Sequence, residues 1–206
     1  MNHLNEISGG EIVVPTRGND WDDNGEWRAM WQHTWRPNLG PLNDAWSDIF
    51  NGIGKVNFTF SVVNSLPEQP VNIDNINAEL KVLRAYYYYL AMDMFGNPPL
   101  VTDYNTDPNT VTNSSRKDVF DYIEKELQDN IALLTENKDA STYGRFAKWA
   151  GFMLLAKLYL NAEVYTGKER FADCISVCDS VINSGKYSLG NYFDNFAIDN
   201  EGSSEN

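Results

Sequence analysis

The sequence predicts an all-α protein built from antiparallel helical hairpins. Three observations lead to this prediction. Apolar residues recur at spacings of three and four in five stretches of the chain, which is the period of an amphipathic helix. Small residues interleave with large ones in the fourth stretch, as closely packed helices require. Glycine, proline and capping residues stand where several of these stretches begin or end.

The five helices are predicted at about residues 43–57, 74–95, 116–135, 145–162 and 168–184. The second has the clearest period, with Asp74 as its expected N-cap and Gly96 at its end. Ser115-x-x-Asp118 resembles a capping box at the start of the third. The run Tyr86-Tyr87-Tyr88-Tyr89 places rings on every side of the second helix, so we expect that helix to be covered on more than one face. Its apolar stripe comprises Ile73, Ile76, Leu80, Leu83, Tyr87, Leu90 and Met94.

The order of these helices is a pair, a loop, a second pair, and a fifth helix without a visible partner. This order favours a degenerate tetratricopeptide-like array over residues 42–189. Residues 1–41 are predicted to be an irregular loop segment, with a short extended piece at Glu11-Ile-Val-Val-Pro15. Residues 190–206 read as a truncated tail whose charged residues are all acidic: Asp194, Asp199, Glu201 and Glu205.

Charge and cysteine usage exclude several classes of protein. The formal net charge of −13 over 206 residues disfavours nucleic acid and anionic membrane surfaces as partners. Residues 1–6 lack the basic and apolar regions of a signal peptide. The only cysteines, Cys174 and Cys178, are one helical turn apart, which favours two buried free thiols over a disulfide. With two histidines in all and no Cys/His cluster, no structural zinc site is expected.

Several segments, in the same order along the chain, match the motifs of one known protein family. The strongest is Leu83-Arg-Ala-Tyr-Tyr-Tyr-Tyr-Leu-Ala-Met-Asp-Met-Phe-Gly-Asn-Pro-Pro-Leu-Val101. Others are Val119-Phe-Asp-Tyr-Ile-Glu-Lys-Glu-Leu127 and Leu154-Leu-Ala-Lys-Leu-Tyr-Leu-Asn-Ala-Glu-Val-Tyr-Thr-Gly167. Upstream, Val14-Pro-Thr-Arg-Gly-Asn-Asp-Trp21 also matches. Together these segments resemble the SusD/RagB family of nutrient-binding outer-membrane lipoproteins, and the resemblance covers nearly the whole chain.

This resemblance implies a non-catalytic binding protein at the surface of the outer membrane. Family members have a helical tetratricopeptide-like scaffold that packs on a TonB-dependent, SusC-like transporter and holds an oligosaccharide over it. They carry a lipoprotein signal and an anchoring cysteine, and they are considerably longer. We therefore expect this chain to correspond to an N-terminal half, in which both of those features are absent. The resemblance implies no cofactor.

The resemblance also points to a ligand-binding loop at Gly18-Asn-Asp-Trp-Asp-Asp-Asn-Gly-Glu26. An exposed aromatic ring can stack on the apolar C–H face of a sugar, while Asp and Asn hydrogen-bond its hydroxyl groups. In starch-binding members a tryptophan of the corresponding loop belongs to an aromatic arc around the glycan. Trp21 matches that position, and Asp22 and Asn24 are its expected polar partners. The alternative is a surface loop with Trp21 packed against the first helix.

The other candidates in this region are weaker. Trp27, Trp31 and Trp35 recur every four residues, which favours packing in the core. Asp20-x-Asp22-x-Asn24-Gly25 fits the first half of a calcium loop, but its twelfth position is Trp31 instead of a bidentate Glu. No carboxylate pair, nucleophile motif or phosphate loop indicates an enzyme. The second hypothesis is a helical-hairpin module that docks the transporter without binding glycan itself.

Overall fold

The computed structural model describes residues 2–198 and 200, and the regular secondary structure of these residues is helical. Over those residues no β-strand occurs, which confirms the predicted all-α class. No described helix combines the length and apolar character needed to cross a bilayer. Three of the tail acids, Asp199, Glu201 and Glu205, lie outside the described residues. The α-helices are α1 Asn2–Ser8, α2 Glu26–Trp31, α3 Gly40–Asn64, α4 Ile73–Phe95, α5 Arg116–Asn130, α6 Lys148–Leu160, α7 Ala162–Thr166 and α8 Phe171–Ile182.

The chain divides into two compact units, Met1–Gly52 and Ile53–Asn206, and α3 contributes to both. The first unit is more ordered than predicted, because α1 and α2 lie inside the segment expected to be irregular. These two short helices pack on one another. Glu11-Ile-Val-Val-Pro15 forms no strand. The buried apolar side chains of this unit are Leu4, Ile7, Ala29, Met30, Leu39, Ala45 and Ile49.

The second unit contains two packed helical pairs, α4 with α5 and α6 with α8. The predicted pairing is therefore wrong, because the last helix does have a partner, α6. No residue of α8 is fully buried, however, and Phe171, Ile175 and Ile182 remain exposed on it. The partner covers one side of α8 and leaves apolar side chains open on another. Cys174 and Cys178 are free thiols, as predicted, but both are half-buried instead of buried.

The face of α4 that is fully buried differs from the predicted stripe. All seven stripe residues, Leu83 and Tyr87 among them, are only half-buried. The tyrosine run confirms coverage on more than one face, since Tyr88 is buried and the other three rings are half-buried. The apolar period identified the side of α4 that carries large hydrophobic residues. The fully buried side carries several alanines, because small side chains allow a neighbouring helix to approach closely. The fully buried apolar residues are Ala78, Val82, Ala85, Tyr88, Ala91 and Met92.

The predicted helix boundaries hold at two of three positions. The Ser115 hydroxyl accepts a hydrogen bond from the Asp118 backbone N–H at 3.1 Å, as a capping residue should. Gly96 ends α4 with a φ of 79°, and its N–H donates to the Met92 carbonyl at 2.9 Å. Asp74 is not the N-cap of α4. The helix begins at Ile73, which places Asp74 in the first turn. There its negative charge still interacts favourably with the positive end of the helix dipole.

The buried tyrosines make the stability of the protein sensitive to alkaline pH. Burial raises the pKa of Tyr88 from 10.0 to about 12. The unfolded chain therefore loses its phenolic proton first, and Tyr88 stabilises the fold fully below pH 10 but progressively less up to pH 12. We expect the loss of stability between these pH values to be about 2 kcal/mol smaller in Tyr88→Phe than in the parent protein. Urea unfolding of both proteins at several alkaline pH values measures this difference, and parallel pH profiles would contradict it.

Candidate functional site

The loop before α2 has an unusual backbone. Trp21, Asp23 and Asn24 have φ angles of 61°, 41° and 55°, in the left-handed region that residues with a side chain seldom adopt. Gly25, with a φ of 77°, then leads into α2. Two hydrogen bonds hold the turn: the Trp21 N–H donates to Asp20 Oδ1 at 3.0 Å, and the Gly25 N–H donates to the Asp22 carbonyl at 2.6 Å. Such conformations persist only where the surroundings enforce them, and they concentrate at functional sites.

This backbone presents Trp21 to solvent at the edge of a cavity. The residue is 49% exposed, so one side of it is accessible while the other is covered. The cavity has a volume of about 280 Å³, and Trp27, Trp31 and Val14 also line it. The ring centroids of Trp21 and Trp27 are 6.4 Å apart, with their planes inclined by 50°. The site therefore offers two neighbouring aromatic rings at different angles.

Asp22 lines the same cavity as Trp21. Its Oδ1 accepts a bond from Arg28 Nη2 at 3.4 Å and from the Thr16 hydroxyl at 3.5 Å. Both distances are long for hydrogen bonds, and the Asp22 side chain is 52% exposed. The carboxylate can therefore accept further bonds from a ligand, with Arg28 close by as a possible donor.

Asn24 does not line this cavity. It faces a second cavity of about 420 Å³, lined also by Asp23, Glu26 and Asp44. Its carbonyl accepts a hydrogen bond from Arg36 Nη2 at 3.2 Å. Of the three predicted ligand-binding residues, the structure brings Trp21 and Asp22 together and turns Asn24 elsewhere. Within the described residues, no group of three or more His, Cys, Asp or Glu side chains could hold a metal ion.

The expectation that Trp27, Trp31 and Trp35 pack in the core is wrong for two of them. Trp31 and Trp35 are 51% and 53% exposed, and Trp27 is half-buried. The reason is the shortness of α2, which ends at Trp31 and buries Ala29 and Met30 instead. Trp27 and Trp31 lie one turn apart on the cavity side of α2, whereas Trp35 follows the helix and lines neither cavity.

Trp27 and Trp31 therefore line the candidate site, although their spacing predicted core packing. Their spacing of four, directly after the loop of Trp21, was the available signal. Asp23 fixes the first of them, because its carboxylate accepts a hydrogen bond from the Trp27 indole N–H. That bond ties the strained loop to α2 and orients the Trp27 ring beside Trp21.

A comparison with known protein families agrees with the resemblance. The family model SusD-like_3, described as "Starch-binding associating with outer membrane", matches residues 11–160. This match includes the loop of Trp21 and helices α2 to α6. The chain belongs to the SusD-like family.

Two curated relatives of this SusD-like chain are similar over most of its length. Starch-binding protein SusD of Bacteroides thetaiotaomicron is 27% identical over 181 residues, covering 88% of this chain and 32% of the relative. SusD-like protein P25 of Formosa agariphila is 26% identical over 177 residues, covering 80% of this chain and 31% of the relative. The chain thus spans about a third of the length of either relative.

Among solved structures, a laminarin-binding SusD-like protein superposes on this SusD-like chain with a TM-score of 0.82 and 25% identity. The superposition covers 98% of this chain and 44% of that structure. The helical architecture described above is thus that of less than half of a SusD-like protein.

Proposed function

We propose that this SusD-like chain is the part of a non-catalytic glycan-binding protein that carries an aromatic binding platform. In this proposal Trp21 stacks on a sugar ring, Trp27 and Trp31 extend the apolar wall, and Asp22 accepts hydrogen bonds from sugar hydroxyl groups. Asn24 is a polar partner at the neighbouring cavity. The ligand class is a neutral oligosaccharide.

The half-exposed indole of Trp21, set in a strained loop, carries this proposal. A solvent-exposed tryptophan held by an unfavourable backbone conformation has a cost in stability, of about 1–3 kcal/mol per strained residue, that a role in binding explains. The apolar rings and the adjacent carboxylate match the two sides of a pyranose, its C–H face and its hydroxyl edge. The net charge of −13 favours neutral over anionic glycans. Similarity to a starch-binding and a laminarin-binding protein supports the same ligand class.

The same proposal places the protein at the cell surface. The family description gives association with the outer membrane. We infer surface exposure there and a SusC-like, TonB-dependent transporter as the protein partner, which would take up the captured oligosaccharide. Co-purification of this transporter with the protein from detergent-solubilised outer membranes tests the partner.

We expect Trp21→Ala to weaken glycan binding at least about tenfold, because the mutation removes the stacking surface. Isothermal titration calorimetry of the whole protein against a panel of neutral polysaccharides and their oligosaccharides measures this effect. The panel includes maltohexaose and laminarihexaose as fragments of starch and laminarin.

Trp35→Ala is the matched control for Trp21→Ala. Trp35 has almost the same exposure, 53% against 49%, and lines neither of the two cavities described above. Its loss should leave the affinity unchanged within about twofold, a difference below 0.5 kcal/mol. If no glycan of the panel binds, the proposed function is wrong. If both variants bind alike, Trp21 is not the platform.

One observation favours the alternative of a protein-docking module. A groove of about 780 Å³ in the second unit is lined mostly by apolar residues, among them Met153, Ile182 and Leu189. Exposed apolar patches of this kind commonly mark protein–protein contacts. This alternative predicts co-purification with the transporter together with no heat of binding for any glycan of the panel.

A further inference from the structure

Another cavity, with mixed aromatic and polar walls, lies in the unit Ile53–Asn206, and no residue of the Trp21 loop lines it. Its volume is about 440 Å³. The last turns of α3 contribute Phe60 and Ser61, and the loop after α4 contributes Thr102, Asp103 and Tyr104. Ligand sites for small molecules commonly have volumes of roughly 300–1,000 Å³, so the space is sufficient for a sugar ring.

The loop that forms one wall of this cavity is held by a buried polar network. Arg84, only 5% exposed, donates from Nη1 to the Thr102 carbonyl at 2.8 Å and to Asn57 Oδ1 at 2.9 Å. The Asn57 amide donates to the Val101 carbonyl at 2.9 Å. Tyr88 donates to that same carbonyl at 2.8 Å and accepts from the Val101 N–H at 2.7 Å. Asn57 lines the cavity, whereas Arg84 and Tyr88 lie behind its wall and hold the loop in place, which is how preorganised sites are built.

The surface of the cavity combines ring faces with available polar atoms. Tyr104 is 54% exposed and is braced by an edge-to-face contact with Phe58, at a centroid distance of 5.1 Å. Within the described residues, no hydrogen bond engages the Ser61 or Thr102 hydroxyl. The Asp103 carboxylate uses Oδ1 to accept from the Asn105 N–H at 2.9 Å, which leaves Oδ2 for a ligand.

We propose that this cavity is a second carbohydrate subsite, which binds one glucose ring of a neutral glucan against Tyr104. The ring of Tyr104 stacks on the sugar, while Ser61, Thr102 and Asp103 bond to its hydroxyl groups. Hydroxyl and carboxylate groups disfavour a purely apolar ligand because they would be desolvated without partners. The carboxylate of Asp103 also disfavours an acidic sugar. The choice of a glucan as ligand rests on the proposed function, but the location does not.

The test is a titration of the ¹⁵N-labelled protein with maltohexaose and, separately, laminarihexaose, up to about 10 mM. We expect the backbone amide signals of Ser61, Thr102 and Asp103 to shift in a saturable way with at least one of the two. Tyr104→Ala should weaken the affinity measured at these amides at least about tenfold, and Tyr104→Phe, which keeps the ring, should change it by less than about twofold.

Tyr143→Ala is the matched control, because Tyr143 is exposed, belongs to the same unit and does not line the cavity. It should leave the shifts unchanged. Absence of shifts at all three amides with both glucans overturns this proposal, as does a Tyr104→Ala variant that binds normally. Shifts at the Trp21 indole alone would overturn the second subsite and leave the proposed function standing. Shifts at the three amides without any at Trp21 would support the subsite and contradict the role of Trp21.

Discussion

Replacing Arg84 by methionine is expected to lower the free energy of unfolding by about 3–5 kcal/mol. The guanidinium group is buried, and its Nη2 lies 3.4 Å from Glu126 Oε2, a side chain that is itself only 16% exposed. Its Nη1 bonds the Thr102 carbonyl and the Asn57 side chain. Methionine fills similar space but leaves one charge and two polar acceptors without their partner, and the protein must desolvate these groups on folding. Urea denaturation followed by circular dichroism measures the change.

Two further variants test whether the loss of stability in Arg84→Met comes from the buried network or from the loss of any positive charge. Lys117→Met removes an ion pair with Asp121 in which both side chains are at least half exposed, and it should leave the free energy of unfolding almost unchanged. Adding Glu126→Gln to Arg84→Met should restore about 1 kcal/mol, because it removes the unpaired carboxylate. A loss below about 1.5 kcal/mol for Arg84→Met, or no recovery in the double variant, would show that the buried network contributes little.

Replacing Gly151 by valine is expected to destabilise the protein by about 2–3 kcal/mol. A Cβ atom at this position of α6 would lie 2.9 Å from Ile131 Cγ1 and 3.4 Å from Leu134 Cδ1. The first distance is shorter than any normal carbon–carbon contact, and Ile131 is itself buried, so its side chain has little room to move. The two segments would have to separate. Thermal unfolding of the variant measures the effect.

Gly54→Val is the matched control for Gly151→Val, because both glycines lie within α-helices. A Cβ atom at Gly54 in α3 would meet no atom within 4 Å. Its replacement should therefore change the stability by less than about 0.5 kcal/mol, since Gly and Val differ little in helix propensity. Equal effects at the two positions would mean that helix propensity, not packing, decides the outcome.

These positions show how far local sequence signals reach. The small residues around Gly151 predicted a close helix contact, and a Cβ at this position has no room beside Ile131. The capping box at Ser115 was predicted because its geometry involves only residues three apart. The stripe of α4 gave the wrong buried face, because the residues that a neighbouring helix covers depend on that neighbour. The pairing of α8 with α6 was not predicted for the same reason: it depends on contacts between helices and not on either helix alone.

At the candidate site, sequence-based prediction failed for a different reason. The sequence singled out Trp21 and Asp22, and the structure places both at one cavity. It also grouped Trp35 with Trp27 and Trp31, because periodicity assumes a helix that in fact ends at Trp31. Asn24 was grouped with Trp21 because it lies in the same loop and its amide can bond sugar hydroxyl groups. Left-handed backbone at three non-glycine residues, which turns Asn24 towards another cavity, has no reliable signature in sequence.

The sequence by itself determined the all-α class, the existence of the five long helices, several of their ends and the family. Each of these rests on interactions between residues close in the chain, or on ordered segments that recur among relatives. Only the tertiary structure decided which helices pair, which side of α4 is buried, and how Arg84 fixes the loop that carries Tyr104. Those features join residues far apart in sequence, such as Arg84 and Glu126, and burial and hydrogen bonding between them depend on the fold as a whole.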